Sequence, residues 1–142
     1  MINEENDGLI NISVYGSLKK GFGNHRLLAN SRFLSHGVIK DAILVSLSAY
    51  PALYINQLLG DNVQVEIYRV TPEEFRSLDM LEGYDTFYNR SLVDIELAPA
   101  VYIRTWIYHF NGDYNGQYPR VHANLGVANW TRSPMIREGF YA

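Results

Sequence analysis

The chain has 142 residues, a formal net charge of −3, 47% apolar residues and no cysteine. That length can bury about two-thirds of the unfolded surface in one core, the missing cysteines exclude disulfides, a thiol nucleophile and cysteine-based zinc sites, and the acidic balance argues against nucleic acid, which demands a basic face. No apolar run approaches the roughly eighteen residues of a membrane helix, and residues 1–8 are acidic and polar, unlike a signal peptide. The expectation is a cytoplasmic single domain over 1–142, flexible at 1–8 and loop-rich over 111–142, with no membrane or nucleic-acid partner.

Ile10, Ile12 and Val14 alternate with Asn11 and Ser13, the period-2 pattern of a half-buried strand. Gly16 stops it. The loop that follows carries Gly16, Ser17, Gly21 and Gly23, and glycines let successive main-chain N–H groups approach an anion or oxyanion closely. The same glycines also serve ordinary turns. Asn24 is placed to cap a short helix to about Asn30, with Leu27 and Leu28 inward. Phe33–Ile39 and Ala42–Leu47 read as two strands, Tyr50-Pro51 demands extended backbone before Leu53-Tyr54-Ile55, and Gly60-Asp61-Asn62 turns into an alternating strand over Val63–Tyr68.

Thr71-Pro72-Glu73-Glu74 has the residues of a capping box with Pro at the first helical position, and Gly83 is placed to end the helix it starts. Phe75, Leu78, Met80 and Leu81 form its apolar side; Arg76 and Asp79 lie outward. Glu82 falls in the last turn, where the helix's partly negative end disfavours a carboxylate and raises its pKa. Tyr88–Leu97 and Val101–Phe110 alternate around Ala98-Pro99-Ala100 and read as a hairpin. Beyond Asn111 the pattern dissolves, apart from an expected short helix at Val121–Ala128 anchored by Trp130 and Phe140. Eleven Tyr and six Phe favour sheet surfaces.

Several stretches together resemble the gamma-glutamylcyclotransferase-like proteins, including their AIG2-like and gamma-glutamylamine cyclotransferase branches. They are Val14-Tyr15-Gly16-Ser17-Leu18-Lys19-Lys20-Gly21 with Asn24-His25, Tyr50-Pro51-Ala52-Leu53, Glu66-Ile67-Tyr68, and Leu78-Asp79-Met80-Leu81-Glu82-Gly83-Tyr84 with Tyr88-Asn89-Arg90. The resemblance implies an α+β fold: a small mixed, largely antiparallel β-barrel with a few short helices. It implies conversion of a gamma-glutamyl amine or amino acid to 5-oxoproline and free amine, without cofactor or metal. It makes Glu82 the catalytic acid/base, Tyr15, Gly16, Ser17 and Leu18 the substrate loop, and Pro51 and Tyr88 pocket residues, with Arg90 bracing the loop or pairing with an acid. A non-catalytic small-ligand-binding protein and an amide hydrolase on the same scaffold are the alternatives. Ser17 lacks the G-x-S-x-G elbow of a nucleophile, and His25, His36, His109 and His122 have no metal-ligand spacing. Leaving group and oligomeric state are not written in these motifs.

Overall fold

The computed structural model describes residues 8–131. Its strands are β1 (Ile10–Val14), β2 (Arg32–Ser46), β3 (Pro51–Tyr54), β4 (Asp61–Val70), β5 (Asn89–Ala98), β6 (Val101–His109) and β7 (Val127–Ala128). A 3-10 turn, Gly23–Leu28, follows β1, and one α-helix, α1 (Pro72–Glu82), follows β4. Strand order is β3-β2-β5-β6-β1-β4-β7, and β2 also pairs with β4, so β2, β5, β6, β1 and β4 close on themselves. The result is a five-stranded mixed barrel with β3 and β7 as outriggers. Among the strands of the described residues, β1–β6 is the parallel pair within the ring and β4–β7 is parallel outside it.

Alternation along β1 and β4 builds two apolar layers. In register, Ser13 faces Ile67 while Ile12 faces Tyr68 and Val14 faces Glu66, so odd positions of β1 share a face with Val63, Val65 and Ile67. That face packs with Ile39, Ile95 and Ile107 inside the ring. Ser13 there satisfies its hydroxyl on Thr105 at 2.8 Å. The opposite face, with Ile12, Val14, Tyr68 and Val70, is covered by Leu28, Phe75 and Leu78.

The expected strands Phe33–Ile39 and Ala42–Leu47 are one strand. A register shift between Ile39 and Ala42, where Asp41 takes a φ of 57°, bends it from pairing with β4 to pairing with β3. Lys40-Asp41 is therefore a bulge that continues the ladder in a new direction. The capping box forms as read: Thr71 Oγ1 accepts from Glu74 N–H (3.0 Å) and Glu74 Oε1 from Thr71 N–H (2.8 Å). Gly83 closes α1 in the left-handed conformation, φ 63°. Met80, expected inward, is 84% exposed, because two residues past the buried Leu78 is some 200° around a helix. Leu81 is also partly exposed. The β5–β6 hairpin turns at Pro99-Ala100. Val121–Ala128 is not a helix: it is irregular chain ending in β7, held by parallel pairing of Asn62 and Val63 with Val127 and Ala128. Trp130 is buried as expected, and Phe140 lies outside the described residues.

Candidate active site

The loop leaving β1 and the C-terminal end of α1 meet over one cavity of about 210 Å³. Tyr15, Gly16, Ser17 and Leu18 line one side, Glu82 and Leu81 the other, with Tyr50, Pro51, Tyr88, Phe87 and Tyr108 completing the wall. Every site residue expected from the sequence thus borders the same space. The separation in sequence is bridged by the barrel: β1 pairs with β4, which leads directly into α1.

The turn is held by its own chain. Lys19 N–H donates to Gly16 O at 2.9 Å and Asn24 N–H to Ser17 O at 3.0 Å. Asn24 Nδ2 donates to Ser17 Oγ at 2.9 Å, and His25 Nδ1 sits 2.9 Å from Leu18 O. Asn24, expected as a helix cap, therefore clamps the pocket loop; the 3-10 turn begins after Phe22 without a side-chain cap. Among the described residues, the main-chain N–H groups of Gly16, Ser17 and Leu18 meet no backbone acceptor, which leaves donors for a ligand. Gly16 is required by contact: a Cβ there would lie 2.6 and 2.8 Å from Pro51 Cγ and Cδ.

Glu82 is the last residue of α1, with no basic residue in that turn. Burial pushes its carboxyl up to about 7, the direction expected from burial and the helix end together. Among the described residues it has no ion-pair or hydrogen-bond partner. Three phenols surround it, and each spends its proton elsewhere: Tyr15 on Tyr108 O (2.8 Å), Tyr88 on Pro51 O (2.7 Å) and Tyr108 on Asp79 Oδ1 (2.7 Å). Burial first, and the nearby Glu82 charge among the lesser causes, raises all three phenols, so they stay neutral in the physiological range.

Asp79 and Arg90 fix the helix that carries Glu82. Arg90 Nε and Nη2 bind Asp79 Oδ1 and Oδ2 at 2.9 and 3.2 Å, a two-pronged pair. Its guanidinium lies 4.3 Å from the rings of Phe75 and Tyr84 and 4.6 Å from that of Trp106. Asp79, three residues before Glu82 and read from the sequence as helix surface or support, is a support: it is tied to both β5 and β6 through Arg90 and Tyr108. Sequence periodicity alone does not find this, because it depends on the strand register that opposes Arg90 to Tyr108.

Ser17 has Asn24 as its side-chain neighbour and no histidine poised on its hydroxyl, since His25 is engaged by Leu18 O. Ser17→Ala is therefore expected to keep turnover within about tenfold of the wild type, losing a hydrogen bond of ordinary strength. A trapped acyl-Ser17 adduct seen by mass spectrometry, or inactivation as deep as that of a catalytic carboxylate variant, overturns this.

The closed barrel thus carries a partly buried, unpaired carboxylate and a turn of main-chain amides without backbone acceptors on the wall of one small-molecule-sized cavity. Residues 12–131 match the family described as gamma-glutamyl cyclotransferase, AIG2-like, and the chain belongs to that family. It is 33% identical over 100 residues to a Methanocaldococcus jannaschii protein provisionally named a gamma-glutamylcyclotransferase, covering 70% of this chain and 82% of the relative. A Vibrio cholerae protein with the same provisional name is 28% identical over 120 residues, 84% and 93% of the two chains. The crystal structure of an AIG2-like protein from Mus musculus superposes with a TM-score of 0.68 at 24% identity, covering 87% of this chain and 97% of that one; this likeness shows the shared fold.

Proposed function

We propose that the protein cyclises a gamma-glutamyl amine or amino acid, releasing 5-oxoproline and the free amine. The observation that carries this reading is the placement of an unpaired, half-buried Glu82 and the Tyr15–Leu18 turn on one cavity. Glu82 takes a proton from the substrate's α-ammonium group, and the freed nitrogen attacks the γ-carbonyl carbon of the same molecule. A carbon–nitrogen bond forms, and the carbonyl electron pair becomes an oxyanion held by main-chain N–H groups of the turn. As the oxyanion collapses, the bond to the leaving nitrogen breaks and Glu82 delivers its proton there; the carboxylate then takes the second proton from the ring nitrogen and passes it to the released amine, which leaves as an ammonium. No water is consumed and the carboxylate ends as it began.

The energetics suit so small a site. Both reacting groups belong to one molecule, so holding the cyclising conformer exploits effective molarities of about 10⁵ M or more. A well-aimed donor at the oxyanion adds about 2.7–4 kcal/mol. Pro51 and Tyr88 act as walls: the Tyr88 hydroxyl on Pro51 O ties β3 to the start of β5, and the Pro51 ring backs Gly16.

The test is a panel of gamma-glutamyl amino acids and amines scored for 5-oxoproline and for glutamate. Release of 5-oxoproline supports the proposal, glutamate alone indicates hydrolysis, and binding without either product indicates a ligand-binding protein. The proposed chemistry runs on a carboxylate and amide donors, so activity is expected to survive EDTA and reducing agent. Loss on chelation with recovery on adding a single metal overturns that expectation.

A further inference from the structure

We propose that Lys19 is a positioning residue that fastens the chain around Asn129 and Trp130 to the pocket turn, making that distant segment part of the active-site scaffold. The proposal rests on the reading of the Tyr15–Leu18 turn as the substrate cradle. Lys19 immediately follows that turn and is only 6% exposed. Its Nζ donates to Asn129 Oδ1 at 2.7 Å and to Trp130 O at 2.6 Å. These acceptors are themselves anchored, because Trp130 and Ala128 are buried and β7 is paired to β4.

The main chain of Lys19 is what carries the grip to the pocket. Its N–H donates to Gly16 O and its carbonyl accepts from Phe22 N–H at 3.0 Å. The next residue is fixed as well, Lys20 N–H donating to Glu66 Oε1 at 2.9 Å. Lys19 does not line the cavity, so it acts through the turn and not on substrate. Lysine is rarely buried, since taking its charge out of water is costly. Desolvation here lowers its amine to about 8, with Glu66 of β4 pulling the other way, and the Phe22 ring lies 5.5 Å from Nζ. Methionine would fill the same space without that cost, so the ammonium's two short bonds to the tail are what distinguish lysine at this position.

The experiment uses the full chain with Lys19→Met, Asn129→Ala and the double variant. Amide hydrogen exchange is followed at residues 16–22 and 127–131, and KM and kcat are measured for release of 5-oxoproline. In both single variants, exchange is expected to rise at the two segments together. KM should increase about tenfold for Lys19→Met, the low end of what a charged hydrogen bond supplies, and about threefold for Asn129→Ala, with kcat changing far less. The double variant should be no worse than Lys19→Met alone, because Asn129→Ala removes one of the two bonds that Lys19→Met already removes. Faster exchange in the tail with turn exchange and KM at wild-type values overturns the proposal. If the wild type forms no 5-oxoproline, the cyclisation reading fails and the linked exchange alone decides the coupling; if Lys19→Met does not fold, Asn129→Ala decides it.

Discussion

Glu82→Gln is expected to cut 5-oxoproline release by roughly 10²-fold or more, the scale of a lost general acid–base group, while raising the stability of the fold at neutral and alkaline pH. The two effects share one cause. Glutamine keeps the shape of the side chain but neither accepts the ammonium proton nor returns it. It also removes a carboxylate that burial has made costly to ionise, with a folded pKa of about 7 against an ordinary 4.5.

The pH dependence follows from that direction. Because the folded protein holds the Glu82 proton more tightly than the unfolded chain, it binds more protons between about 4.5 and 7, and the carboxylate subtracts stability as pH rises through that window. Above it the full cost is present. Glu82 is half-buried and not sealed, so a discounted figure of about 1–2 kcal/mol is appropriate, or some 3–6 °C in Tm for a chain of this size. Wild type and variant should converge in stability below about pH 4.5 and separate above 7. In the wild type, kcat/KM should rise through a limb centred near 7 as the free enzyme's base ionises, and Glu82→Gln should lack that limb. A variant with wild-type kcat refutes the assignment; one that is inactive and also less stable at pH 8 points to a structural role for the carboxylate.

What the sequence made legible was local. The capping box at Thr71, the stop at Gly83 and the β5–β6 hairpin are each decided by residues within a few positions of one another, and they form as read. Glu82 and the Tyr15–Leu18 turn are found by motif. Their convergence on one cavity depends on the pairing of β1 with β4, the strand that leads into α1, a long-range pairing that no periodicity specifies. The same limit explains the tail. Val121–Ala128 has enough apolar residues for a turn of helix, but pairing with β4 offers β7 backbone partners that local propensity does not record. It explains Asn24 and Asp79 too. An asparagine before a leucine pair is a sound cap by local rules, yet Ser17 claims its side chain. An outward aspartate becomes a bracket only once Arg90 and Tyr108 stand beside each other on neighbouring strands.

Gly16→Val is expected to fold and to lose most of its substrate affinity, because the collision it creates lies behind the turn and not in the core. Even the first carbon of a side chain would stand 2.6 Å from Pro51 Cγ and 2.8 Å from Cδ. A proline ring has no rotamer with which to retreat. Pro51 is further fixed by its pairing with Ser46 and by the Tyr88 hydroxyl on its carbonyl. The turn is the part that must give, and moving it displaces the amide donors of Gly16, Ser17 and Leu18. Overpacking of this kind costs about 1–3 kcal/mol, and a donor misplaced by about 1 Å loses roughly 10²-fold in rate. Gly16→Ala, with the same first carbon and no branch, should show the defect in milder form, a rise of about tenfold in KM. Both variants should retain the wild-type far-ultraviolet circular dichroism. Wild-type KM in Gly16→Val would mean that the turn tolerates displacement and does not hold the substrate.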